Sequence, residues 1–97
     1  MKTLADFESR MGTDYAYVVL EKDGQRYYEA KRRPPFGTAP SGYTCYLFDQ
    51  EGKYVDWTWD NWDDVAWKER WGETERDERP ITLAEINEQI RNAGRKT

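Results

Sequence analysis

Four aspartates, Asp56, Asp60, Asp63 and Asp64, lie between Tyr54 and Trp71 in a stretch that also holds all five tryptophans of this 97-residue chain. Carboxylates so spaced could gather a hard cation such as Mg²⁺ or Ca²⁺, or act as a general acid and base. The pattern is not that of a calcium-binding loop. Counted from Asp60, position six is Val65 where such a loop has glycine, and position twelve is Trp71 where it has glutamate. Helix capping and dipole compensation account for Asp60, Asp63 and Asp64 without a metal. No metal or other cofactor is expected.

The remaining catalytic repertoire is thin. The chain has no histidine, which removes the commonest general base and the Ser/His and Cys/His nucleophilic pairs. Cys45 has no cysteine to pair with and, mid-strand, reads as a small core residue. Gly37-Thr38-Ala39-Pro40-Ser41-Gly42 has the residue types of a phosphate cradle, but a strand follows it and it lacks the P-loop lysine. Lys31-Arg32-Arg33 is the basic triplet of the chain and reads as a solvated strand end. Nothing here calls for an enzyme.

The tryptophans are the stronger signal. On an ideal helix Trp59, Trp62, Val65 and Ala66 share one side, while Trp67 and Trp71 stack on a face more than about 100° away. One buried stripe cannot hold both groups. Either the segment is sandwiched, or one group is left exposed beside acids. The sequence singles out Trp67 and Trp71 as the candidate exposed pair, with Asp56, Asp60, Asp63 and Asp64 completing a partner-binding surface. Tyr27, Tyr28, Tyr43, Tyr46 and Tyr54 could extend it.

The elements that would position these residues read as follows. Thr3 caps a helix over Leu4 to Met11, which Gly12 stops. Tyr15 to Lys22 and Gln25 to Lys31 are strands joined at Asp23-Gly24, a type I′ hairpin signal. Both alternating sets of the first strand are apolar or aromatic, so it should be covered on both faces. Residues 32–42 form a proline- and glycine-rich loop. Tyr43 to Asp49 and Lys53 to Trp59 are two more strands, the second with Val55, Trp57 and Trp59 on a core face. Asp60 caps a helix over Asn61 to Trp71. Glu73 to Pro80 is a charged connector. Thr82 and Glu85 box the last helix, Leu83 to Ala93, and 95–97 is a frayed tail. The fold class is α+β: a single domain with a short N-terminal helix, a four-stranded antiparallel meander, and two C-terminal helices on one sheet face.

Charge is uneven along this chain. Residues 1–33 carry seven bases and six acids, whereas residues 49–88 carry five bases and thirteen acids, a net charge of −8. Such a surface is a poor one for nucleic acid, which needs clustered Lys and Arg. It suits a protein partner with a basic surface. The expected molecule is therefore a non-enzymatic inhibitor or adaptor, of the kind phages and mobile elements use against nucleic-acid-handling host proteins. The alternative is a module that stacks its aromatics on a nucleotide- or sugar-like ligand and grips an anion with Arg26, Tyr28, Arg32 and Arg33. No apolar leader or membrane span is present, so the default is a cytoplasmic monomer or homodimer.

Overall fold

The computed structural model describes residues 3–11, 15–32, 43–72 and 74–94. In chain order they form α1 (Leu4–Met11), β1 (Tyr15–Lys22), β2 (Gln25–Arg32), β3 (Cys45–Asp49), β4 (Tyr54–Thr58), α2 (Val65–Trp71), β5 (Glu75–Ile81) and α3 (Leu83–Gly94). The expected helix stop at Gly12, the loop residues 33–42 and the tail 95–97 lie outside the described residues. The strands make one antiparallel sheet in the order β4-β3-β2-β1-β5. Among the described residues, no helix is long and apolar enough to cross a membrane.

The α+β architecture expected from the pattern is the one observed, with one more strand. β1 and β2 are locked by Asp23 and Gly24 at φ 54° and 77°, the two positive angles a type I′ turn needs. The meander then runs on through β3 to β4, leaving β4 at one edge. The expected connector after α2 is instead β5, which pairs with β1 at the other edge. Its charges and Pro80 made it look unstructured. An edge strand tolerates both, because one side needs no ladder partner and charge discourages pairing with another chain.

Expectation and structure also differ in where the helices pack. α1 and α3 cover one face, bringing Leu4, Phe7 and Ile86 against Tyr15, Tyr17, Tyr28, Ala30 and Phe48. α2 covers the other, with Trp67 and Trp71 against Leu20, Cys45 and Leu47. This division explains why both alternating sets of β1 are apolar. Phe7 anchors the first core through edge-on contacts with Tyr15 (centroids 4.8 Å apart) and Phe48 (5.4 Å). The helix ends follow their sequence signals. The Thr3 Oγ1 accepts the Asp6 N–H (3.2 Å) while the Asp6 carboxylate accepts the Thr3 N–H (3.2 Å), and Thr82 and Glu85 repeat the arrangement before α3.

Candidate interaction surface

Three of the four aspartates hold the fold together around β4 and α2. Asp56 Oδ2 accepts from Arg70 Nη1 (2.6 Å) and from the Trp71 indole Nε1 (3.0 Å), while its Oδ1 accepts the Trp57 N–H (2.9 Å). Asp60, 2% exposed, uses Oδ1 to accept the N–H groups of Trp62 (2.9 Å) and Asp63 (3.3 Å). It therefore closes an Asx turn and does not cap the helix, which starts four residues later than the sequence suggests. The cap is Asp64. Its Oδ1 accepts the Trp67 N–H (3.0 Å) and its Oδ2 accepts the Thr58 hydroxyl (2.7 Å), tying β4 to α2. The Thr58 hydrogen bond, then the Trp67 N–H, hold the Asp64 carboxyl below its ordinary range. Asp63 alone of the four is fully on the surface. Among the described residues, no three carboxylate or thiol groups converge to hold a cation.

The later start of α2 reverses the expected fate of the tryptophans. Trp67 (3% exposed) and Trp71 (4%) are core residues of the α2 face. They touch each other at 6.3 Å between centroids, and Tyr27 meets Trp71 edge-on at 5.2 Å. Lys22 Nζ lies 4.7 Å from the Trp71 ring centroid. The pair singled out as an exposed contact surface is thus inside.

Trp57, Trp59 and Trp62 are outside instead, 48%, 62% and 57% exposed, together with Tyr54, Val55 and Val65. Sequence alternation had assigned Val55, Trp57 and Trp59 to the core. A bulge and the strand's position explain the error: Phe48 pairs with Tyr54 and Leu47 with Asp56, so Val55 is skipped, while Trp57 sits on an edge strand with one neighbour and Trp59 lies beyond the end of β4. Tyr54 and Trp57 then share the α1 face, where Tyr54 meets Phe48 (6.4 Å) and Trp57 stacks on Tyr46 (5.9 Å, 21° between planes). Tyr46 in turn packs on Phe7 at 5.0 Å, and Trp57 lies one strand further out. Asp56 and Thr58 take the opposite face and reach α2. The result is an apolar ledge along one sheet edge and the turn after it, residues 54–65. The signal that could have found it is meander order, which leaves the fourth strand with a single neighbour.

The residues of the alternative ligand reading separate into two groups. Arg26 Nη1 and the Tyr28 hydroxyl both donate to Gln89 Oε1 of α3, each at 2.9 Å. Burial pushes the Tyr28 phenol upward, opposed by the Arg26 hydrogen bond and charge. Arg32 lies six residues along β2 from Arg26, roughly 20 Å at the rise of a strand. Arg33 lies outside the described residues. An open groove of about 380 Å³ borders Arg26 and Gln89 and is polar, lined also by Asp77, Arg79 and Glu85. Compared with protein-family models, curated proteins and solved structures, the chain matches none.

Proposed function

We propose that the protein is a non-enzymatic interaction protein whose contact surface is the ledge of residues 54–65, and that its partner presents a basic surface. The observation that carries this reading is the exposure of three tryptophans, a tyrosine and two valines within twelve consecutive residues. Large exposed apolar patches mark interaction sites, and tryptophan is the residue most enriched among those that dominate binding energy. The charge setting supplies the sign of the partner. No lysine or arginine occurs between Lys53 and Lys68, Asp63 is exposed there, and the surrounding residues 49–88 carry a net charge of −8. A cationic partner would be steered to this edge and orientated there. Its acidic balance also fits an inhibitor that occupies a basic surface otherwise used for nucleic acid.

Affinity capture tests the reading directly. Wild-type protein should retain a partner at low salt and release it as ionic strength rises. A Trp59→Ala, Trp62→Ala double variant should fold with an unchanged Tm and retain none. Recovery of the same partner by both proteins would refute the assignment of the surface.

A further inference from the structure

Resting on the reading of residues 54–65 as a contact surface, we infer that in the free protein this ledge is occupied by a second copy of the chain, the two ledges packed antiparallel about a two-fold axis. The exposed area is what a small two-fold interface needs. Tyr54, Val55, Trp57, Trp59, Trp62 and Val65 are between 36% and 63% exposed. At ~150–250 Å² for a whole aromatic side chain, the six leave roughly 500 Å² of apolar surface in water. That is the size of the largest patch on a typical monomer, and such patches are often functional. Covering it on two copies removes roughly 1,000 Å², where specific interfaces begin.

Charge selects the orientation. Asp56, Asp60 and Asp64 engage their carboxylates inside the molecule, on Arg70 and Trp71, on the Trp62 and Asp63 N–H groups, and on Thr58 and Trp67. Of the four aspartates, Asp63 is left as the exposed charge. The ledge therefore runs from a basic end at Lys53, just before β4, through its aromatic centre to an acidic end at Asp63, in the turn that follows. The Lys53 side chain is 68% exposed, and Glu51, 3.6 Å from its Nζ, is 64% exposed, so that pair is held only weakly. A two-fold axis through the centre of the ledge sets each Lys53 beside the other copy's Asp63 and the indoles against one another. The parallel arrangement, with the axis along the ledge, opposes like charges. Strand addition is disfavoured by the state of β4 itself. The Trp57 N–H is taken by Asp56 Oδ1 (2.9 Å), the Asp60 N–H by Thr58 Oγ1 (3.2 Å), and the Trp59 carbonyl by the Thr44 hydroxyl (3.0 Å). Contact is left to the side chains.

Sedimentation equilibrium of the full chain over a range of concentrations tests this. An interface of this size dissociates in the micromolar range, so denaturation of dilute protein reads the monomer. Wild-type protein should pass from monomer to dimer as concentration rises, and the Trp59→Ala, Trp62→Ala variant should stay monomeric with its fold intact. Lys53→Glu and Asp63→Lys should each weaken the dimer about tenfold, since each change acts twice across the axis. Combining them should restore it, because the swap rebuilds the pair. A monomer at every concentration would overturn the inference and leave the basic-partner reading to its own capture assay. Dimerisation that survives in the double tryptophan variant would place the pairing elsewhere and also overturn it. A combined charge variant no tighter than the single ones would overturn the antiparallel arrangement. The basic-partner reading fails on a different result, recovery of the same captured partner by wild-type and double-variant protein.

Discussion

Trp59 and Trp71 belong to one aspartate-rich run, yet the first is 62% exposed and the second 4%. Their substitution should separate accordingly. Trp71→Ala empties a packed site and orphans its hydrogen bond to Asp56, and is expected to cost about 3–5 kcal/mol, a large part of a small domain's stability. Trp59→Ala should leave the denaturation midpoint close to that of wild type, as chemical denaturation would show. The aspartates divide in the same way. The Asp64 carboxyl titrates below the ordinary aspartate range because the Thr58 hydroxyl and the Trp67 N–H bond its ionised form in the folded state. A depressed folded pKa stabilises above the unfolded value and is lost as pH falls through the folded one. Its contribution should be complete above roughly pH 4–5 and vanish in stronger acid. Asp64→Asn keeps a capping oxygen but no titration, so the fall in Tm on acidification should be shallower than in wild type.

At the scale of elements, the β3–β4 turn is the joint on which the first core depends. Gly52 has φ 83°, and a Cβ there would lie 3.0 Å from Ile90 Cδ1 of α3. Its N–H bonds the Asp49 carbonyl (2.9 Å), and its carbonyl accepts the Leu4 N–H (2.7 Å) at the start of α1. Gly52→Ala should cost about 1–2 kcal/mol from the left-handed backbone, with crowding in addition. Gly24→Ala carries the same kind of backbone strain, but its Cβ meets nothing within 4 Å. Thermal unfolding should therefore rank Gly52→Ala as the more damaging. Much of this level was legible in the chain: the Asp23-Gly24 hairpin, both capping boxes and the double apolar face of β1 are local signals that tertiary structure did not override. The bulge at Val55 was not legible, since alternation cannot register a skipped residue. Nor was the choice between Asp60 and Asp64, because either can cap. It is settled by Thr58, which reaches Asp64 across the strand-to-helix corner. β5 was hidden because an edge strand built from charge and proline has the composition of a loop.

At the scale of the whole molecule, α1 and α3 seal one face of the sheet, α2 seals the other, and neither reaches over the outer side of β4. Asp56 and Thr58 turn towards α2 and fasten it, and strand parity sends Trp57 to the α1 face, where the edge position of β4 leaves it at the rim. The acidic-aromatic character visible in the sequence is therefore divided by the fold, with Trp67 and Trp71 stabilising the interior and Trp57, Trp59 and Trp62 forming the outer ledge. The central claim, that this ledge is the contact surface, is tested most directly by site-specific photo-crosslinking in cells. A benzophenone amino acid would be placed singly at Trp59, at Trp62, and at the exposed control positions Glu8 of α1 and Glu88 of α3. The expected result is one common adduct from positions 59 and 62 and none from 8 and 88. Adducts from the helix positions with none from the ledge would contradict it.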